Sequence, residues 1–461
     1  MSSPRLFVGL ALLAAACGKN TSLTDGPLGI DASTADAATA NPDADPHGAV
    51  TVTLLSRDGI ASPVVGAKVV FTDGDGTREK TTGDDGKATA TVLPGATVTA
   101  VSAYQDTTRY VDSIGGVKPG DDLVIGGGAE TPAIGTFTVD VGTLQTSELM
   151  TIYGPCGSGS AQGPQPALAG AGAGSGGQTI TLSMFASCKQ DTMDLVAVDE
   201  RDGTIQGYAV QKGVAYSDGG SVSLTAQFAP IDSLDAPISN VPAEVTSVAI
   251  NAYYPNANGY STYNSLAPTD GKIGFALPIT AASGGLVTTS SYDGANRVQS
   301  SYEQVAPGTT QYAVDLGARL LAWVDAPSVD AAAGKVAVKL TGTATGDLEH
   351  VRFLFRRNGV TYNWELWRAA AGDLALPTLP TDVTDHAPTA DDLIEQPYAG
   401  LIDLPATVTY DQIRGRLGSA FDPYYSATAA LPGVLRISAS PYIGGGEKIH
   451  PSPSLAGPRR R

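Results

Sequence analysis

The 461-residue chain carries 28 basic against 46 acidic residues, a formal net charge of −18, which makes nucleic acid and bare anionic lipid poor partners. Only 16% of residues are charged and 42% are hydrophobic, with 55 glycines and 30 prolines. That mix excludes a disordered polyelectrolyte and a helical membrane bundle, and it suits many short strands joined by tight turns.

Residues 1–16 hold one basic residue, Arg5, and an apolar run from Leu6 to Ala16 that is too short to span a bilayer, so they read as an export signal. The run ends in Leu13-Ala14-Ala15-Ala16-Cys17, which resembles the lipobox of bacterial lipoproteins. The resemblance implies cleavage before Cys17, diacylglycerol on its sulfur, and attachment to a membrane through that lipid. Gly18 stands where an Asp marks inner-membrane retention in that family, so an outer-membrane address is implied, facing the periplasm or the cell surface.

Residues 17–47 follow as a stalk of small, acidic and proline residues with no aromatic. As a coil such a stretch has an end-to-end distance of roughly 30 Å, and about 90 Å when drawn out in the polyproline manner.

The first folded unit is expected over 48–126. VTVTLL, the turn Asp58-Gly59, GAKVVF and the turn Asp73-Gly74-Asp75-Gly76 repeat strand and turn about every ten residues, the rhythm of a sandwich. Gly66-Ala67 before Val69, Thr82, Asp85-Gly86, Ala88 and Val92-Leu93-Pro94-Gly95 resemble the carboxypeptidase-regulatory-like and bacterial immunoglobulin-like modules. Those families imply a seven-stranded accessory sandwich, transthyretin-like or immunoglobulin-like, without catalysis of its own.

After GGGAETPAIG at 126–135, a second β-rich unit is expected over 135–316, with turns at Asp202-Gly203, Asp218-Gly219-Gly220 and Asn258-Gly259. With Cys17 committed to lipid, Cys156 and Cys188 remain as a pair in an oxidising compartment, and a disulfide between them is the economical expectation, worth roughly 3–4 kcal/mol. Tyr253, Tyr254, Tyr260 and Tyr263 flank the tip PNANG among Asn251, Asn256, Asn258 and Asn264, an aromatic and amide surface suited to stacking on sugars or gripping a protein. The alternative is a hairpin whose tyrosines pack on neighbouring strands.

The third unit, 317–445, contains VRFLFRR, Asn358-Gly359 and VTYNWELW, a two-residue hairpin of type I′. That turn sets Phe355 opposite Tyr362, Phe353 opposite Trp364 and Val351 opposite Leu366 on a core face, with Arg352 opposite Glu365 on the other, which is expected to be wet. His350 and Trp367 fall on that second face, as if another element covered part of it. TADDLIEQ at 389–396 and TYDQIRGRL at 409–417 are each expected to form a short helix, the second with a capping box from Thr409 and Gln412. Residues 446–461 read as a disordered tail.

The sequence thus predicts an all-β fold of two to three tandem sandwiches behind a stalk. His47, His350, His386 and His450 are scattered, and there is no HExxH, no GxSxG and no GxxxxGK[ST]. The GxGxxG at Gly172, Gly174 and Gly177 lacks the strand before it and the helix after it that a dinucleotide site needs. Asp382, Asp385, His386, Asp391, Asp392 and Glu395 form an acidic cluster, and Asp73 with Asp75 an acidic turn whose spacing fails the EF-hand pattern at Arg78 and Asp84. No catalytic residue, metal or cofactor is assigned. The reading is a noncatalytic cell-envelope lipoprotein for adhesion, scaffolding or binding of a protein or carbohydrate; the alternatives are a glycan-active hydrolase using acidic residues and a partner-binding subunit of an envelope complex.

Overall fold

The computed structural model describes residues 46–441 apart from 58–61, 105–106, 128–132, 155–156, 165–177, 186–190, 203, 231–233, 254–260, 278–284, 307, 370–373 and 417–432. The fold is all-β, built from stacked sheets, as the composition implied. Alternation is the local cause: in Gly48–Leu55 the side chains of Val50, Val52 and Leu54 point inward, and in Lys87–Val92 those of Ala88, Ala90 and Val92 do the same.

Among the described residues, seven strands lie between Gly48 and Gly126. Gly48–Leu55 pairs with Lys87–Val92 on one side and, in parallel, with Asp122–Gly126 on the other. This small sheet covers Lys68–Asp73, Ala96–Tyr104 and Thr108–Val117, burying Phe71, Val98 and Ile114 between the layers. At Gly126, φ is +77° and a Cβ would lie 2.1 Å from the Leu55 carbonyl oxygen, so the close strand approach requires glycine there.

A second sandwich packs Gly157–Gln162, Glu148–Gly154, Thr192–Arg201 and Thr204–Ala215 against Gln178–Phe185, Ala133–Gly142 and Gly220–Ser223. Phe137, Ile152, Leu182 and Met193 fill it. Further along, Leu234–Ser239 and Ile273–Leu277 lay Leu234, Ile238 and Phe275 on Val248 and Ile250.

One twelve-stranded sheet connects these parts. Its order runs Ser261–Leu266, Val245–Tyr253, Gly285–Asp293, Val298–Val305, Val434–Ala439, Ile394–Asp403, Leu348–Arg357, Val360–Ala369, Thr108–Val117, Ala96–Tyr104, Lys68–Asp73 and Gly76–Thr81. Every pairing in it is antiparallel except one: Val360–Ala369 runs parallel to Thr108–Val117. Strands of the first sandwich are therefore hydrogen-bonded directly to the hairpin near the other end of the chain.

That hairpin has the expected register, with Phe355 opposite Tyr362, Phe353 opposite Trp364 and Arg352 opposite Glu365. Asn358 and Gly359 have φ of +53° and +78°, the pair of left-handed residues that a type I′ turn demands. Both faces of the hairpin are covered, so the face expected to be wet is instead packed under the first sandwich. Val351, Phe353 and Trp364 join a core with Leu321, Val336 and Leu379, while Leu348 and Trp367 join the core of the first sandwich.

The two expected helices differ in outcome. Tyr410–Ile413 is helical, and Gln412 Oε1 accepts from the Thr409 N–H at 2.8 Å, completing the capping box. Residues 389–396 are instead a turn followed by the start of the strand Ile394–Asp403. Asp392 accepts from both the N–H and the hydroxyl of Thr389, which closes the turn, and pairing with Leu348–Arg357 claims the residues that follow. No helix among the described residues is long and apolar enough to cross a membrane.

Candidate functional site

The parallel pairing sets Asp112 beside Glu365, and the hairpin sets Glu365 opposite Arg352, which in turn faces Tyr398. Four adjacent strands thus line up two carboxylates, a guanidinium and a phenol on one face of the large sheet. Arg57, at the end of the Gly48–Leu55 strand in the covering sheet, closes over them. Its Nη2 donates to Asp112 Oδ1 at 2.6 Å, and its guanidinium lies 4.5 Å above the Tyr110 ring.

Asp112 is 2% exposed. Burial, reinforced by the charge of Glu365 and opposed by Arg57, pushes its carboxyl up to about 6. Burial also acts upward on Glu365, but His350, Arg57 and Arg352 outweigh it and bring that carboxyl down to about 2. The Glu365 side chain keeps 27% of its surface open to solvent. Its Oε1 accepts from the Trp367 indole N–H at 3.2 Å and lies 3.1 Å from His350 Nε2. Burial holds His350 below the ordinary histidine range, against the pull of Glu365, so the ring sits neutral between Trp367 and the edge of Tyr398.

Two carboxyls with affinities driven apart are the arrangement that supplies an acid and a base in hydrolases. A general acid must reach its substrate within hydrogen-bond distance. Asp112 is sealed beneath Arg57, and Glu365 is engaged by Trp367. The geometry suits a clamp between the covering sheet and the large one, with burial raising the proton affinity of Asp112 and the neighbours His350, Arg57 and Arg352 lowering that of Glu365.

The acidic cluster at 382–395 is not one site. Asp382 pairs with Lys68 at 3.0 Å, Asp385 with His386 at 2.8 Å, Glu395 with Arg356 at 3.4 Å, and Asp392 with Arg357. Among the described residues, no group of three or more His, Cys, Asp or Glu is placed to hold a metal ion. Asp73 acts as the turn anchor its sequence suggested, accepting from the N–H groups of Asp75 and Leu93 and from Arg78.

Cys17, Cys156, Cys188, Tyr254 and Tyr260 lie outside the described residues. Backbone pairing places Tyr263 opposite Asn251 and Tyr253 opposite Ser261, on the two outermost strands at one end of the large sheet. The residues that sequence reasoning missed are Arg57 and Asp112. The available signal was an aspartate inside the otherwise apolar core of YVDSIGGV, a charge that burial obliges to find a partner.

No protein-family model matches the chain, and no curated protein matches it. Among solved structures, the Bacillus anthracis TIE protein aligns at 13% identity and a TM-score of 0.15, covering 59% of this chain and 51% of that one, so the chain spans about half the length of that neighbour. A Ca2+-stabilized adhesin that helps an Antarctic bacterium reach out and bind ice aligns at 12% identity and a TM-score of 0.12, covering 78% of this chain and 95% of the adhesin. A streptococcal ancillary pilin aligns at 10% identity and a TM-score of 0.15, covering 58% and 98%.

Proposed function

We propose that the chain is a noncatalytic cell-envelope lipoprotein: lipid on Cys17 anchors it in the outer membrane, residues 17–47 form a stalk, and the β body serves adhesion or scaffolding by presenting a binding surface. The observation that carries this reading is the twelve-stranded sheet, which joins strands from 68 to 439; Arg57 with Asp112 ties the covering sheet to it, and Glu349 with Arg368 ties the two strands of the hairpin to each other. A body braced in this way suits display and load-bearing. Within the same reading, Cys156 and Cys188 form a disulfide, and Tyr253, Tyr254, Tyr260 and Tyr263 contribute to the surface for a protein or carbohydrate ligand.

Metabolic labelling of wild type and Cys17→Ser with a clickable fatty acid, followed by membrane fractionation and protease shaving of intact cells, tests the anchor. The proposal expects label and membrane retention in wild type and loss of both in the variant. An unlabelled wild type overturns it. Attachment of cells expressing the wild type to glycan- and protein-coated surfaces then tests the display role, which fails if attachment equals that of cells lacking the chain.

A further inference from the structure

On the face of the large sheet opposite His350, the strands Gly285–Asp293 and Val298–Val305 bring Thr289 opposite Ser301 and Ser291 opposite Gln299. The connector Leu316–Leu321, which leads from the second unit into the third, crosses above them. Gln299 grips it as a backbone strand would: Oε1 accepts from the Leu321 N–H at 2.6 Å and Nε2 donates to the Leu321 carbonyl at 2.9 Å. Arg319 adds a second hold, donating to the Tyr312 hydroxyl at 3.0 Å and pairing with Glu303 at 2.7 Å.

Three hydroxyls under this connector are left over. Thr289, Ser291 and Ser301 are 1%, 0% and 3% exposed, and the side-chain oxygen of each has no hydrogen-bond partner within the protein. All three line a cavity of ≈ 10 Å³, with Leu316, Arg319 and Leu320 on the opposite wall. A buried hydroxyl that stays unpartnered pays its full desolvation cost, so native proteins rarely leave one, let alone three together. Room for one water begins at about 10–15 Å³ on this measure, provided two to four polar groups surround it. The single charge on the wall, Arg319, is already balanced by Glu303, so the cavity offers neutral donors and acceptors and no net charge to seat an ion.

We propose that this cavity is a specific site for one water molecule, bridging Thr289, Ser291 and Ser301 and completing the attachment of the Leu316–Leu321 connector to the sheet. Thr289→Val distinguishes the bridged site from three bare hydroxyls, because the two cases predict opposite signs. Removing one partner of a bound water lowers Tm, by roughly 1–3 °C for a chain of this size. Removing a bare, unpartnered hydroxyl raises Tm, and that result overturns the proposal. A crystal structure of the wild type in which other buried waters are ordered gives the independent reading: density within about 2.7–3.2 Å of the three oxygens is expected. An empty cavity in that map overturns the site even where Thr289→Val perturbs packing.

Discussion

His350 lies flat on Trp367, with ring centroids 3.7 Å apart and 3° between the planes, while its Nε2 sits 3.1 Å from Glu365 Oε1. His350 thus closes one side of a part-buried charge row that continues through Glu365, Asp112 and Arg57.

The row makes stability depend on pH, with His350 and Glu365 both losing their contribution as pH falls. His350 is held below its ordinary value, so an unfolded chain takes up a proton that the folded one refuses, and stability falls as pH drops through about 6.5. Glu365, brought down to about 2, adds stability above its ordinary value that is lost as pH falls from about 4.5 toward 2. His350→Phe keeps the stack and removes the titrating nitrogens. Urea titrations between pH 7.5 and 5.5 are expected to show a smaller loss of stability in His350→Phe than in wild type, and equal slopes would remove His350 from this role.

Asp112 acts with the other sign. Its carboxyl, raised to about 6, binds a proton in the folded state that the unfolded state has released, so its contribution declines as pH rises from about 4 to 6. Asp112→Asn abolishes that decline. The difference in unfolding free energy, wild type minus variant, is expected to decrease across this window; a flat difference would mean that Asp112 titrates normally.

Removing Arg57 leaves Asp112 buried without its counter-charge. Arg57→Ala is expected to cost about 3 kcal/mol in urea unfolding at pH 7.5, where the carboxyl is ionised. Pairing Arg57→Met with Asp112→Leu replaces the ion pair with apolar volume and should recover most of the loss. A double variant as unstable as Arg57→Ala alone would show that the pair positions more than its own charges.

The hairpin offers a core test away from the charges. Trp364 stacks against Phe353 at 5.7 Å between centroids and donates its indole N–H to the His386 carbonyl at 2.8 Å. Trp364→Ala is expected to lose about 3–5 kcal/mol, and Trp364→Phe less, both read by thermal unfolding.

A chain shortened to begin at residue 133 loses Thr108–Val117, so the Val360–Ala369 edge and the apolar face formed by Leu348, Trp367 and Ile402 become exposed. Such a fragment is expected to bind a hydrophobic dye strongly and to elute as larger species in gel filtration than its mass predicts. A fragment with the dye response and elution of a well-folded monomer would mean that the parallel seam is dispensable.

What was legible in the sequence was what short-range chemistry fixes. Asn358-Gly359 sets a two-residue turn, the turn sets the register, and alternation on either side then names the core face, so Phe353 and Trp364 were readable from a dozen residues. The second face was only half readable: His350 and Trp367 signalled a cover, but the cover comes from strands more than two hundred residues earlier in the chain. Asp112 and Arg57 share that difficulty, since nothing local says which strand lies beside YVDSIGGV. The segment at 389–396 misled because acidic residues ahead of Leu393 and Ile394 imitate a helix start, whereas sheet pairing decided the outcome.

The parallel seam also sets an order of events in time. Thr108–Val117 emerges early in synthesis, yet its partner at 360–369 follows only after most of the body has been made. Until then the first sandwich carries an open, uncapped flank whose natural occupant has not yet been synthesised. Long-separation pairings of this kind fold slowly. For this chain, the hazardous interval is the wait during synthesis, when a flank prepared for a distant segment of its own sequence is equally open to a stranger.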